Sequence, residues 1–237
     1  MNSQANRRVL VTGANRGLGL EFVRQLLARG DAVLAACRHP DQAEALAGLS
    51  GKFADRLQLL TLDVTDSGHF PAFALEVAKR APALDVLINN AGMLPSGERF
   101  GQLRADSLTE TFVTNCQGPV LLTQALAPLL AKGVEPRVLN ISSILGSIAS
   151  TNACYSPSYS ISKAALNMAA RLIGHALAER NIRSVNLHPG WVHTDMGGGQ
   201  APLDPVDSVR AMLDTLDRLP ADANGVFLDR FGEPLPW

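Results

Sequence analysis

Short apolar runs alternate along the chain with longer segments whose apolar positions recur at helical spacing. The short runs are apolar at nearly every position, which is typical of parallel strands covered on both faces. Strands are predicted at Arg8–Thr12, Ala32–Cys37, Leu57–Leu62, Val86–Asn89, Arg137–Ser142, Arg183–Leu187 and Val226–Leu228. Helices are predicted at Gly19–Arg29, Gln42–Leu49, Gly68–Arg80, Asp106–Leu130, Ser158–Glu179 and Pro205–Leu216. This order predicts an α/β fold: a doubly wound, Rossmann-type domain with a seven-stranded parallel sheet and helices on both faces.

Composition supports one large domain over residues 1–237, because 46% of the residues are hydrophobic and no repeat or linker divides the chain. The net charge of −1 comes with no basic stripe, so no nucleic-acid partner is expected. No apolar run approaches the roughly 18 residues of a membrane helix, so no membrane partner is expected either. The three cysteines are far apart and fit no zinc spacing, which predicts no metal site and a cytoplasmic location.

A glycine-rich turn, TGANRGLG at residues 12–19, joins the first predicted strand to the first predicted helix. Glycines there let the backbone approach a pyrophosphate, and the helix amino terminus offers free N–H groups. The spacing Gly-x-x-x-Gly-x-Gly differs from the common Gly-x-Gly-x-x-Gly fingerprint. A purely structural turn is the alternative, but its place in the first strand–helix unit favours nucleotide binding.

Tyr159 and Lys163 stand four residues apart at the start of an alanine-rich predicted helix, so they share one helix face. A cation on that face is expected to lower the phenol pKa from its ordinary value of roughly 10. The pair is therefore a candidate acid/base. An ordinary tyrosine beside a solvated lysine is the alternative, since this spacing also arises by chance.

Several modest motifs follow one another in a fixed order. They are TGANRGLG, NNAG at 89–92, Asn115, the Ser142-Ser143 pair, Tyr159/Lys163 and Pro189-Gly190. Together they resemble the short-chain dehydrogenases/reductases over essentially the whole chain. More narrowly, GANRGLG, SKAALNM, HPGWVHTDMGG and the final LPW are similar to the subgroup that contains the C-factor-like proteins and the sniffer-type carbonyl reductases.

The resemblance implies a catalytic set of Asn115, Ser143, Tyr159 and Lys163. Tyr159 would protonate a carbonyl oxygen, while Ser143 donates a hydrogen bond as negative charge builds there. Lys163 would tune Tyr159 and hold the nicotinamide ribose, and Asn115 would bind a water that relays protons. Ser143 is chosen because it precedes two residues and a glycine, Gly146. Its distance from Tyr159 is longer than in many family members, so loop 147–157 is predicted to line the substrate pocket.

The end of the second predicted strand favours NADP(H) over NAD(H). That strand runs into Arg38 with no carboxylate, and an acidic residue there would repel a 2′-phosphate. Guanidinium groups at Arg38 and, by resemblance, Arg16 suit such a phosphate. For each arginine a solvated surface charge is the alternative.

The resemblance also implies the remaining cofactor contacts. Asp63 would accept a hydrogen bond from the adenine amino group with Val64 packing nearby, and Val192 and Thr194 would contact the nicotinamide carboxamide. The expected cofactor-binding residues are Gly13, Asn15, Arg16, Gly17, Leu18, Gly19, Arg38, Asp63, Val64, Asn90, Ala91, Gly92, Tyr159, Lys163, Pro189, Gly190, Val192 and Thr194.

A short glycine-rich substrate loop near 194–205 predicts an open pocket for small or varied aldehydes, ketones and quinones. The resemblance implies a homodimer or homotetramer formed through the helices Asp106–Leu130 and Ser158–Glu179. The apolar segment 235–237 is expected to dock on the domain or on a partner subunit.

Two alternative functions are considered beside that of a reductase. One is a cofactor-binding signalling protein with a vestigial site; the other, a sugar-nucleotide epimerase or dehydratase, conflicts with the glycine spacing and the short carboxyl-terminal region.

Overall fold

The computed structural model describes residues 6–220 and 222–237, and a seven-stranded parallel sheet runs through its centre. Residues 1–5 and 221, which the predicted domain includes, lie outside the described residues. The strands are β1 (Arg8–Thr12), β2 (Ala32–Cys37), β3 (Leu57–Thr61), β4 (Val86–Asn89), β5 (Arg137–Ile141), β6 (Arg183–His188) and β7 (Val226–Asp229). Each predicted strand is confirmed to within one residue at either end, and so is the predicted fold class.

Seven α-helices flank the sheet in the described part of the chain. They are α1 (Gly17–Arg29), α2 (Glu44–Lys52), α3 (Phe70–Arg80), α4 (Ala105–Phe112), α5 (Gly118–Leu130), α6 (Pro157–Leu177) and α7 (Pro205–Arg218). Short 3₁₀ turns at Pro40–Gln42 and Ser67–His69 precede α2 and α3, which explains why both helices begin later than predicted.

The helix predicted at Asp106–Leu130 is the main difference from the sequence expectation. A π-helical turn, Val113–Gln117, separates α4 from α5. Pro119 has no N–H for the carbonyl of Asn115, four residues earlier, which favours a wider turn at this point. Gly118 crosses the chain after β3 so closely that an added Cβ would lie 2.4 Å from the Val64 carbonyl oxygen.

Alternate residues of each strand enter two separate apolar layers, which is why the strands are apolar throughout. Val9 and Val11 pack with α1, α2 and α7 on one face, and Phe22 is the largest fully buried side chain of that layer. Leu10 enters the other layer with α3 and α5, where Phe70 and Phe73 are buried.

The strand order β3-β2-β1-β4-β5-β6-β7 reverses direction between β1 and β4. In doubly wound sheets the carboxyl ends of the strands at such a reversal form a ligand crevice. The glycine turn after β1 and the NNAG segment at the end of β4 both lie at this point.

The apolar segment 235–237 docks on its own domain. This was one of the two arrangements expected for it, the other being contact with a partner subunit. The Leu235 N–H donates to the Phe227 carbonyl at 2.9 Å, and the Trp237 and Phe227 ring centroids are 5.8 Å apart. The Trp237 carbonyl accepts from the Ala149 N–H at 2.8 Å, so this segment also supports loop 147–157. Within 6–220 and 222–237, no helix combines the length and apolar character needed to cross a bilayer.

Candidate active site

The glycine turn is packed too closely for any other residue at several positions. An added Cβ would lie 2.9 Å from Ala91 Cα at Gly13 and 2.1 Å from the Gly13 carbonyl oxygen at Gly19. Gly13 and Gly17 also have φ angles of +63° and +54°, a region that favours glycine. Since no described side chain caps α1, the N–H groups of its first turn are available to a phosphate. Asn15 and Arg16 are exposed, and Leu18 is half-buried.

Thr12, the first residue of the glycine turn, joins this turn to the NNAG segment. Its Oγ1 accepts hydrogen bonds from the N–H groups of Asn90 and Ala91, both at 3.0 Å. Asn90 Nδ2 returns the contact by donating to the carbonyls of Thr12 and Gly13, at 2.9 and 3.2 Å. Asn90 therefore holds the glycine turn against the end of β4 and so fixes the shape of the crevice. Gly92 follows it at the crevice edge.

Arg38 and Asp63 lie close together at the carboxyl ends of β2 and β3. Burial alone would raise the pKa of Asp63, but two hydrogen bonds from Thr65 and the nearby positive charge of Arg38 bring it below its ordinary value. Asp63 Oδ1 accepts from the Thr65 N–H at 2.9 Å and from Thr65 Oγ1 at 2.7 Å. Asp63 thus holds the turn after β3 as an ionised carboxylate, and Val64 beside it packs against the core.

Ser143, Tyr159 and Lys163 come together at the carboxyl end of β5. All three are buried, with 8%, 9% and 4% of their surface exposed. The Ser143 hydroxyl lies near enough to the Tyr159 phenol to act on its pKa. Lys163 Nζ lies 5.5 Å from the centroid of the Tyr159 ring and donates to the Ile141 carbonyl at 2.7 Å.

Burial controls the charge states of this pair. It raises the pKa of Tyr159 to about 12, with the nearby Ser143 hydroxyl acting weakly in the other direction. Burial also lowers the pKa of Lys163 to about 8, and the neighbouring Cys116 thiol opposes this shift. The prediction that Lys163 lowers the pKa of Tyr159 is therefore wrong, since the ammonium group faces the Ile141 carbonyl. Tyr159 stays a neutral phenol, which is the form that donates a proton.

Asn115 lies in the π-helical turn and is fully buried. Its Oδ1 accepts from the Met93 N–H at 2.8 Å, and its Nδ2 donates to the Met93 carbonyl at 2.8 Å and to Ser162 Oγ at 3.0 Å. The side chain thus joins the segment after β4 to α6. The carbonyl of Asn115 lacks the donor of a regular α-helix because of Pro119.

The segment after β6 closes the crevice on its far side. Pro189 is buried and its carbonyl accepts from Ser208 Oγ at 2.7 Å, while Gly190 has a φ of +87°. Val192 is buried beside Leu203, and Thr194 lies 3.6 Å from where a Cβ on Gly17 would stand. An open cleft of 460 Å³ is lined here by His193, Thr194, Asp195, Gly198 and Gly199.

Two contacts at this edge were not visible in the sequence. Arg16 forms an ion pair with Asp195 at 2.9 Å, across the mouth of the crevice. Glu98 accepts hydrogen bonds from the N–H and hydroxyl of Ser158, at 3.0 and 2.7 Å, and so caps α6 from a loop 60 residues away. The ion pair joins two separate motifs and Glu98 belongs to none, so only the tertiary structure identifies either contact. Among the described residues, no group of three His, Cys, Asp or Glu side chains is arranged to hold a metal ion.

The doubly wound sheet, the glycine turn and the Ser143–Tyr159–Lys163 cluster define one class of protein. The chain belongs to the short-chain dehydrogenase family, since the family model described as short chain dehydrogenase matches residues 7–202. This confirms the resemblance that the motifs indicated, and it makes the chain an oxidoreductase by family.

Individual relatives narrow this placement. The C-signal protein of Myxococcus xanthus is 41% identical over 166 residues, covering 70% of this chain and 99% of that protein. The carbonyl reductase Sniffer of D. melanogaster superposes with a TM-score of 0.93 at 34% identity, covering 99% of this chain and 100% of that one. The NADPH-bound carbonyl reductase from chicken fatty liver gives 0.92 at 38% identity, with 98% and 99% covered.

Proposed function

We propose that the chain is an NADPH-dependent reductase of carbonyl compounds. The observation that carries the proposal is the meeting of Ser143 and Tyr159, two hydrogen-bond donors, beside the glycine turn at one edge of the sheet. The similarity to Sniffer and to the NADPH-bound chicken enzyme, both carbonyl reductases, supports the same reaction.

The residues of the crevice fit a nicotinamide dinucleotide phosphate. The glycine turn is so tightly closed that a Cβ at Gly19 would collide with the Gly13 backbone, and the uncapped first turn of α1 offers its N–H groups to a pyrophosphate. Arg16 and Arg38 are exposed cations for the 2′-phosphate, and the end of β2 carries no carboxylate to repel it. Asp63, Val64, the NNAG segment and the stretch from Pro189 to Thr194 complete the proposed binding surface. NAD(H) is the less favoured cofactor.

The bound dinucleotide supplies the hydride for this chemistry. Tyr159, as a neutral phenol, donates a proton to the substrate oxygen, and the Ser143 hydroxyl donates a hydrogen bond that strengthens as charge develops there. Lys163 would hold the nicotinamide ribose through its ammonium group. We assign Asn115 to the water that returns protons to Lys163, because Pro119 leaves the Asn115 carbonyl without its helical donor.

The substrates we propose are small or varied aldehydes, ketones and quinones. The loop near 194–205 is short and glycine-rich, and the cleft beside it is open. The domain therefore combines an NAD(P)-binding core with a substrate loop that covers little of the pocket. A narrow profile across a panel of such carbonyl compounds would contradict this assignment.

Replacing Tyr159 by Phe tests the mechanism directly. We expect carbonyl reduction, followed as NADPH consumption, to fall by at least about 100-fold because the proton donor is lost. The affinity for NADPH should stay within about threefold of wild type, since the phenyl ring is retained. Turnover that survives in the Phe variant would overturn the role given to Tyr159.

A signalling or regulatory protein with a vestigial site is the second candidate, because the C-signal protein is 41% identical over 166 residues. The two candidates differ in one measurement. A protein of the second kind would bind NADPH and yet oxidise it with none of the carbonyl compounds in the panel.

A further inference from the structure

Three buried asparagines form a row across the sheet, with one residue on each of β4, β5 and β6. Asn89 is in register with Asn140, and Asn140 with Asn186, so the three side chains leave the same face. Asn89 Nδ2 donates to Asn140 Oδ1 at 2.8 Å, and Asn140 Nδ2 donates to Asn186 Oδ1 at 2.9 Å. Burying an amide group without a hydrogen-bond partner costs free energy. The row therefore has one preferred direction, in which each amide nitrogen donates to the amide oxygen of the next asparagine.

The row ends on helix α6, at Asn167. Asn167 Oδ1 accepts from Asn186 Nδ2 at 2.8 Å and from Ser142 Oγ at 2.6 Å. On its other side, Asn167 Nδ2 donates to the Gly146 carbonyl at 3.2 Å. A reversed amide would set the nitrogen of Asn167 against that of Asn186, so the row fixes the orientation of Asn167.

Asn167 stands one helical turn after Lys163, on the same face of α6. Lys163 grips the end of β5 through the Ile141 carbonyl at 2.7 Å, and Asn167 grips the 3₁₀ turn that follows, Ile144–Gly146. Ser143 lies between these two attachments. The turn packs directly against the backbone of α6, because a Cβ on Gly146 would lie 2.7 Å from the backbone of Lys163.

We propose that Asn167 is a positioning residue for the reaction, whose amide holds the turn bearing Ser143 in register with Tyr159 on α6. The inference rests on the proposed carbonyl reduction, in which both hydroxyl groups must address one oxygen atom. They come from different elements, so their relative position depends on what joins the turn to the helix. A misplacement of about 1 Å at such a site can lower a rate by about 100-fold.

Asn224 provides a matched control. Its Nδ2 donates to the Gly174 carbonyl of α6 at 2.8 Å, and its Oδ1 accepts from the Ser184 N–H of β6 at 2.9 Å. It therefore joins the same helix to the sheet through an amide, but at the end remote from Ser143. Both asparagines are replaced by Leu, which has nearly the same volume and no hydrogen-bonding group.

Kinetics of the folded variants, measured well below their unfolding temperatures, give the first readout. Asn167→Leu should lower kcat for carbonyl reduction by about 10-fold or more, while KM for NADPH stays within about threefold. Asn224→Leu should leave kcat within about threefold of wild type, whatever it does to the melting temperature. An unchanged kcat in Asn167→Leu, or an equal loss in both variants, would overturn the inference.

A gentler variant covers the case in which Asn167→Leu does not fold. Ser142→Ala removes one donor to the Asn167 amide and leaves the asparagine row intact. We expect a smaller fall in kcat, with KM for NADPH again nearly unchanged. Where both single variants fold, the two losses should not multiply in the double variant, because both act through one contact. A wild-type kcat in Ser142→Ala, or losses that multiply in full, would count against Asn167.

Amide hydrogen exchange tests the attachment without any turnover. The N–H groups of Gly146 and Ser147 bond within the turn, to the carbonyls of Ser143 and Ile144, both at 2.9 Å. Their exchange should become faster in Asn167→Leu and stay at the wild-type rate in Asn224→Leu. If the wild-type protein reduces no carbonyl compound, the proposed function is wrong. Amide hydrogen exchange would still show whether Asn167 holds the turn Ile144–Gly146. Unchanged exchange in Asn167→Leu would sink the positioning role.

Discussion

At the scale of single residues, burial makes Tyr159 a stable proton donor and a poor base. Its pKa of about 12 keeps the phenol protonated throughout the physiological range. Reduction needs the phenol, whereas oxidation of an alcohol needs the phenolate to accept the alcohol proton. In the proposed reaction Tyr159 would therefore serve more readily as the acid of reduction than as the base of oxidation at neutral pH.

The two directions of reaction should respond differently to pH. Between pH 6 and about pH 7.5, below the pKa of about 8 of Lys163 and far below that of Tyr159, kcat for carbonyl reduction should change by less than about twofold. Over the same range, alcohol oxidation with NADP should rise toward about tenfold per pH unit, as the phenolate fraction does. Initial rates at constant ionic strength measure both. An oxidation rate that levels off below pH 8 would mean a much lower pKa for Tyr159.

Arg16 and Arg38 are expected to determine the choice of cofactor. Replacing both by Ala removes two cations from the proposed 2′-phosphate site, so kcat/KM with NADPH should fall by about 10- to 100-fold. The value with NADH should change by less than about threefold. Arg24→Ala is the control, since Arg24 is an exposed, ion-paired arginine like Arg16, but its partner is Glu21 on α1. If the double variant keeps the wild-type ratio of kcat/KM with NADPH to kcat/KM with NADH, neither arginine binds the 2′-phosphate.

His188 should give the protein a specific sensitivity to acid. Burial and the charge of Arg230 lower its pKa from 6.5 to about 4, and its Nδ1 has no hydrogen-bond partner among the described residues. The folded state therefore resists protonation, so its stability is full above pH 6.5 and declines as the pH falls toward 4. The slope reaches at most about 1.4 kcal/mol per pH unit.

Urea unfolding of His188→Gln at several pH values between 4 and 7 measures this contribution. The variant should lose part of the acid-dependent decline that the wild type shows, whatever its stability at pH 7. His69→Gln, which changes an exposed histidine, should keep the wild-type decline. Parallel curves for the wild type and His188→Gln would contradict the assignment.

At the scale of elements, close contacts between backbones connect the cofactor turn to its neighbours. Gly13 approaches the NNAG segment, and Gly19 approaches the carbonyl of Gly13 inside the turn itself. These approaches leave no room for a side chain, so glycine is required by space and not only by backbone angle.

Two glycine-to-alanine changes distinguish the lack of space for a side chain from the effect of glycine on helix propensity. Gly19→Ala places a Cβ 2.1 Å from the Gly13 carbonyl oxygen, so the turn must shift, and NADPH affinity should fall by about 10-fold or more. Gly48→Ala lies within α2, where no described atom comes within 4 Å of the added Cβ. It should raise the free energy of unfolding by roughly 0.5–1 kcal/mol and leave NADPH affinity unchanged. Calorimetric titration and chemical unfolding measure the two effects.

The elements themselves were largely predictable from the sequence, because most strands are buried on both faces and the helices carry a 3.6-residue apolar pattern. The π-helical turn was missed, although Pro119 marks the place where the helix lacks a donor. The cap that Glu98 supplies to α6 and the row Asn89–Asn140–Asn186 were not predictable, since both depend on which distant segments become neighbours. The direction of the Tyr159 pKa shift was missed for a similar reason: the spacing to Lys163 is local, but burial is tertiary.

At the scale of the whole molecule, one exposed apolar stripe runs along α6. Ile161, Met168 and Leu172 are 54%, 60% and 60% exposed, and their spacing of seven and then four residues places them on one helix face. Exposed apolar stripes of this kind favour burial against another surface. The stripe lies on α6, one of the helices through which a homodimer or homotetramer is proposed to form; the others, α4 and α5, occupy the predicted helix Asp106–Leu130.

A charge within the stripe should weaken that assembly. Met168→Glu is expected to shift the protein to a smaller species in light scattering coupled to size exclusion, because a buried unpaired carboxylate is costly. Leu75→Glu is the control, as Leu75 is 67% exposed on α3, away from the stripe. A wild type that is already monomeric, or a Met168→Glu variant of wild-type size, would exclude this face as the contact.

The strand order also bears on how the chain assembles as it leaves the ribosome. β1 is synthesised first, β2 and β3 can then extend the sheet on one side, and β4 to β7 can extend it on the other, each in the order of synthesis. Every new strand joins an edge that already exists, so no strand has to enter between two paired neighbours. The sheet can therefore grow vectorially, and the glycine turn and the NNAG segment meet once β4 has been added, before the segment bearing Ser143 and Tyr159 has been made.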